Sequence, residues 1–135
     1  MLTTENTEIT EEFENNSLTD AIIGAAISVH RELGPGLLES TYEKCLAFEL
    51  TQSGLQIAAQ QEIPIKYKGQ SFEGGFRADL IVGNKVLIEL KSIDQLSPIH
   101  TSQVITYLKL TGLPTALLIN FNVPVLKTGL KRISL

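Results

Sequence analysis

Residues 76–92 read FRADLIVGNKVLIELKS. Two acids, Asp79 and Glu89, and one base, Lys91, stand among apolar and β-branched residues that predict strands. Charged side chains are rarely buried unless they are paired or bound to a metal. Glu89 and Lys91 are two apart, so on a strand they share a face, roughly 6–7 Å apart along the chain. Carboxylates suit a hard divalent cation, and an adjacent ammonium can hold a water or a phosphate oxygen. The combination suits metal-assisted phosphodiester hydrolysis.

The connection between the two strands sets a condition. Were Gly83-Asn84 a two-residue hairpin loop, Val82 would pair with Lys85, and Asp79 and Glu89 would point to opposite faces. A three-residue loop, Gly83-Asn84-Lys85, pairs Val82 with Val86 and sets Asp79 opposite Glu89. Such loops commonly hold a residue in the left-handed region, which asparagine tolerates. A shared site therefore requires the odd loop, or a bulge with the same effect.

Outward from this segment, the chain reads as alternating elements. Residues 1–16 carry Glu5, Glu8, Glu11, Glu12 and Glu14 with no lysine or arginine, and are expected to form an acidic mobile tail. Residues 17–135 are expected to form a single domain. Ser17 or Thr19 starts a helix, along which Ile22, Ile23, Ala26, Ile27, His30 and Leu33 recur at helical spacing. Gly34-Pro35-Gly36 stops it. A second helix is expected from about Leu37 to Ser53. Ile57–Tyr67, Ser71–Val82 and Lys85–Ile93 read as strands, with Pro64 interrupting the first and Gly74-Gly75 marking a bulge or bend in the second. Ser97-Pro98 opens a helix to about Leu110. Thr115–Phe121 (TALLINF) reads as a buried strand and Gly129–Leu135 as a last edge strand. The order α-α-β-β-β-α-β-(β) predicts an α/β domain with a mixed sheet flanked by helices.

Composition excludes several classes. No apolar run reaches the ~18–20 residues of a membrane span, and the start carries no signal-peptide pattern. Cys45 is the single cysteine, so no internal disulfide forms, and a cytoplasmic setting is expected. There is no Cys/His cluster for zinc, no phosphate-binding loop, no dinucleotide fingerprint and no nucleophile elbow. The net charge of −4 is concentrated at the start. Without the five tail acids, ten acids face eleven bases; with Glu39, Asp79 and Glu89 set aside as candidate ligands, seven face eleven. A mildly basic body around an acidic site permits nucleic-acid binding without a strong basic footprint.

These residues resemble the PD-(D/E)xK nuclease superfamily, and within it the GxxExxY branch. The branch motif stands as Gly36-Leu37-Leu38-Glu39-Ser40-Thr41-Tyr42, inside VHRELGPGLLESTYEKCLAFEL (residues 29–50). Asp79…Glu89-x-Lys91 follows, then Gln103-x-x-x-Tyr107; the match spans about residues 18–122. Ala78 precedes Asp79 where the superfamily's name has proline.

The resemblance implies a restriction-endonuclease-like fold and cleavage dependent on Mg²⁺ or Mn²⁺. It makes Asp79 and Glu89 metal ligands, with the Leu90 carbonyl as a further oxygen donor and Glu39 as a ligand or water-orienting group. Lys91 would position the attacking water or stabilise charge on the phosphate. Gln103 and Tyr107, four apart on one helix face, would orient Lys91, the water or a phosphate. His30 is a candidate metal ligand by analogy with related nucleases, against the plainer reading of a core histidine at a helix end. Tyr42 reads as core. The expected activity is a metal-dependent nuclease acting on DNA, with a homodimer as a candidate assembly. The rival is a catalytically inactive nuclease-fold module that binds nucleic acid or a protein partner.

Overall fold

The computed structural model describes the backbone of residues 4–135 and the side chains of residues 16–135. Five strands form one sheet in the order β1-β2-β3-β4-β5: β1 is Ile57–Tyr67, β2 Gln70–Val82, β3 Val86–Lys91, β4 Thr115–Asn120 and β5 Leu130–Ser134. All neighbours are antiparallel except β3 and β4, which run parallel. Their crossover is α3, Pro98–Thr111. Helices α1 (Thr4–Leu33) and α2 (Glu39–Gln52) precede the sheet. The α/β architecture with a mixed sheet is the expected one. A short 3-10 turn, Leu126–Gly129, adds an element that the apolar periodicity does not signal.

β3 and β4 are buried along nearly their whole length because both faces of the sheet are covered. On one face Leu80, Val82, Val86, Ile88, Leu117 and Ile119 pack with Ile22, Ala26 and Val29 of α1 and Tyr42, Leu46 and Leu50 of α2. On the other, Ile81, Leu87, Ala116 and Leu118 pack with Val104 and Leu108 of α3. This explains why TALLI is a nearly continuous apolar run and why VLIEL is apolar at every position but Glu89, rather than alternating.

The boundaries of the helices depart from the sequence reading. α1 begins at Thr4, not at Ser17 or Thr19, so residues 4–16 of the expected tail are helical. That stretch holds no proline or glycine to stop a helix and is rich in glutamate, which helices accept readily. Thr19 does not cap: its hydroxyl donates back to the Asn16 carbonyl at 3.1 Å, within the helix. Residues 1–3 of the tail lie outside the described residues. α2 starts at Glu39 rather than Leu37, because Leu38 is extended at φ −71°, ψ 149° and serves as the N-cap through its backbone carbonyl.

The β2–β3 connection is the odd loop. Val82 pairs with Val86, Ile81 with Leu87 and Leu80 with Ile88. Gly83 and Asn84 both lie in the left-handed region, at φ 58° and 54°. The β1–β2 register shifts between Ile63 and Ile65, where Pro64 offers no N–H and Gly74-Gly75 takes up the extra length opposite. The Gly74 N–H freed there donates to Glu62 at 3.0 Å.

A position sealed on both faces has little freedom to repack. Leu118→Ala should therefore lower stability by about 2–5 kcal/mol in urea denaturation; a loss under about 1 kcal/mol would contradict the double coverage of β4.

Candidate functional site

The β2–β3 ladder ends at Leu80 and Ile88, and the next residues on each strand are Asp79 and Glu89. There the carboxylates take over from the backbone. The Leu90 N–H donates to Asp79 Oδ2 at 2.7 Å, and the Asp79 N–H faces Glu89 Oε1 at 3.4 Å. Each acid is thus held by the main chain of the strand opposite. Glu89 is 8% exposed. By strand alternation Glu89 and Lys91 share with Leu87 the face that α3 covers.

One further residue holds Asp79 from the other side. Gln60 of β1 donates its amide to Asp79 Oδ1 at 3.3 Å and to Glu43 Oε1 at 2.5 Å. Gln60 reaches both from a left-handed backbone, φ 51°, in the middle of a strand, a conformation costly for a residue with a side chain. Glu39, Ser40 and Glu43 of α2 join Gln60, Asp79 and Leu90 around a cleft of about 410 Å³.

The electrostatics follow from this crowding. Burial first, then the Asp79 charge, pushes Glu89 from an ordinary 4.5 up to about 8; Lys91 opposes and Glu39 adds to the rise. Burial also raises Asp79, against the Leu90 N–H and the Gln60 amide, with Glu39 raising and Lys91 lowering it. Glu43 is raised by burial and by Asp79. Tyr107 is raised by burial, then by Glu89 and Asp79, so its hydroxyl lies within reach of their field.

The remaining candidates are placed as follows. Glu39 Oε1 accepts from the Ser92 N–H at 3.3 Å, which ties α2 to the residue after Lys91. Lys91 is half-buried and, among the described residues, its ammonium forms no ion pair or hydrogen bond. Tyr107 stacks on Phe76 with ring centroids 3.6 Å apart. Gln103 is exposed and its side chain bonds to none of these groups. His30 lies in a different cleft, with Arg31 and Lys127, and its Nε2 sits 2.8 Å from the Val123 carbonyl. A carbonyl only accepts, so that nitrogen carries the proton and is not a ligand as held here. Tyr42 is fully buried and stacks on Phe121 at 4.4 Å. Its hydroxyl donates to Gly34 at 2.5 Å and accepts from the Leu37 N–H at 3.1 Å, so it fastens the turn that leads into Glu39.

Sequence reasoning missed Gln60, Glu43, Ser92 and Asn120. Ser92 donates to the Leu37 carbonyl at 2.5 Å. Asn120 is buried and clamps Ile93, accepting from its N–H at 3.1 Å and donating to its carbonyl at 2.9 Å. A lone amide at the end of an apolar strand was a readable signal for Asn120. Glu43, one helical turn after Glu39, was readable too. Gln60 left no signal, because its role depends on an unusual backbone angle.

Among the described residues no three His, Cys, Asp or Glu side chains form a ready-made metal cluster. The chemistry of the donor set nonetheless fits a hard cation. It is all oxygen, and burial first, then neighbouring acidic charge, raises Glu89 and Asp79, a strain that a cation would relieve.

A mixed sheet with acids at the open end of its β2–β3 ladder defines a restriction-endonuclease-like α/β domain. The chain belongs to the PD-(D/E)XK nuclease superfamily, whose family profile matches residues 16–133. No curated protein and no solved structure matches it significantly. Among the described residues no helix is long and apolar enough to cross a membrane.

Asp79 and Glu89 hold protons to higher pH in the folded chain than in the unfolded one. The folded state therefore binds more protons, and this pair costs stability increasingly as pH rises from about 4.5 to about 8. Without divalent ions, Glu89→Gln should melt above wild type at about pH 8 and near it at about pH 4.5. A lower melting temperature for Glu89→Gln at the alkaline end would refute the crowded-acid account.

Proposed function

We propose that this protein is a metal-dependent nuclease that hydrolyses phosphodiester bonds of DNA, within the GxxExxY branch of its superfamily. The observation that carries the reading is the interlock of Asp79 and Glu89 at the end of the β2–β3 ladder, with Lys91 beside them. Asp79, Glu89, the Leu90 carbonyl and Glu39 are the oxygen donors we assign to a Mg²⁺ or Mn²⁺ ion. Such an ion supplies charge neutralisation at the phosphate and makes a nearby water acidic enough to attack.

The chain's own residues do the rest. The Leu90 N–H and the Gln60 amide orient the Asp79 carboxylate. The Ser92 N–H orients Glu39. Lys91, in the field of Glu89 and Asp79 but without an ion pair or hydrogen bond among the described residues, is available to hold the attacking water or the non-bridging phosphate oxygens. Tyr107 stands on the α3 side within the field of the acids. A lone thiol, Cys45, suits a cytoplasmic setting. A homodimer would give so small a domain a second surface for its substrate.

Two measurements test the reading together. Purified protein should cut DNA with Mg²⁺ or Mn²⁺, and Glu89→Ala and Lys91→Ala should each lose about 10²-fold or more in rate. Mn²⁺ should also raise the melting temperature of wild type but not that of Glu89→Ala. Equal cleavage by all three proteins would remove this site from the reaction. Absence of both cleavage and Mn²⁺ stabilisation would favour a non-catalytic module that binds nucleic acid or a protein partner.

A further inference from the structure

Beyond Leu80, β1 and β2 run on together without a third strand, since β3 pairs only with residues 80–82. Two-stranded ribbons are marginal on their own. This one is anchored at its base by Ile63, buried under α3, and by the stack of Phe76 on Tyr107. Its outer part is exposed. Ile63 pairs with Phe76, Ile65 with Phe72 and Tyr67 with Gln70. Directly paired residues share a face, and so do residues two apart on a strand. Phe76, Phe72 and Tyr67 therefore line one face of the arm in successive steps of roughly 7 Å. Tyr67 and Phe72 are 61% and 54% exposed, the outermost aromatic rings of that row.

One base stands on this face at the tip, Lys68; Lys66, paired with Ser71 between Ile65 and Tyr67, alternates to the opposite face. The Lys68 ammonium stands 5.4 Å from the centre of the Tyr67 ring. The row starts at Tyr107, which feels the charges of Glu89 and Asp79. Exposed rings beside an ammonium group offer stacking surfaces for bases and counter-charge for a phosphate, a pairing that an apolar protein partner would not need.

We propose that the β1–β2 arm is a track for an unpaired nucleic-acid strand, with bases stacked on Phe72 and Tyr67, a phosphate at Lys68, and the strand led to the acids at the arm's base. The direction of the track rests on the nuclease reading of those acids; the binding surface does not. The substrate class this selects is DNA with a single-stranded segment, such as a tail, a flap or an opened duplex.

Fluorescence anisotropy with a labelled oligothymidylate, in EDTA so that nothing is cut, reads the binding alone. Wild type should hold it more tightly than a duplex of equal length. Tyr67→Ala and Phe72→Ala should each weaken binding by roughly tenfold, while Tyr67→Trp should retain it. Lys68→Ala should lower the salt slope by about 0.7. Unchanged affinity in the alanine variants overturns the proposal. So does a variant that only turns from dimer to monomer in sedimentation, which would make the arm a subunit contact. Cleavage with Mg²⁺ separates the two readings. Arm-dependent binding without any cutting sinks the nuclease reading alone, and cutting with arm-independent binding sinks the track alone.

Discussion

The structure turns on one substitution of partners: where the β2–β3 ladder ends, carboxylates rather than carbonyls meet the opposing N–H groups. Asp79 meets Leu90 and Glu89 meets Asp79. An ordinary antiparallel pair would have used both strands' carbonyls and left the side chains free to turn to solvent. Here the hydrogen bonds fix two acids next to each other in a half-dry place. The main-chain bonds lower the pKa of each acid, but burial and the charge of neighbouring acids outweigh them, and Glu89 is pushed up to about 8. Such an arrangement costs stability in the absence of a cation, and that cost is the reason we read it as a site.

Around this pair the fold supplies braces rather than reactive groups. Asn120, at the end of β4, holds Ile93 and so fixes the exit of β3 just past Lys91. Ser92 and Tyr42 fasten the Gly34–Leu37 turn from two sides, one through the Leu37 carbonyl and the other through Gly34 and the Leu37 N–H. Glu39 follows directly on that turn, so its carboxylate is positioned by groups that never face the cleft. The tyrosine of the GxxExxY segment is, in this chain, a fastening for its glutamate. The same physical logic accounts for His100, which caps α3 by accepting from the Ser97 N–H at 2.9 Å.

Much of this was legible beforehand, for reasons that differ by element. TALLINF announced a buried strand because a sheet covered on both faces leaves few polar positions. The loop was legible as a condition: an odd length, or a bulge with the same effect, was needed to bring Asp79 opposite Glu89, and Asn84 tolerates the backbone that such a loop needs. The start of α1 was not legible, since an acidic stretch without breakers suits a solvated tail and a helix equally. Gln60 was hidden for a different reason. Its neighbours alternate as in any strand, and nothing in the residue types announces a left-handed angle that swings one amide toward two acids.

The chain has no tryptophan and only three tyrosines. Tyr42 lies in the core against Phe121, Tyr107 against Phe76 beside the acids, and Tyr67 near the tip of the arm. Intrinsic ultraviolet emission at neutral pH therefore comes from three separate neighbourhoods with one phenol each. Replacing any two tyrosines by phenylalanine would leave a native spectroscopic reporter for unfolding, for occupancy near the carboxylates, or for contact at the tip, with no dye attached.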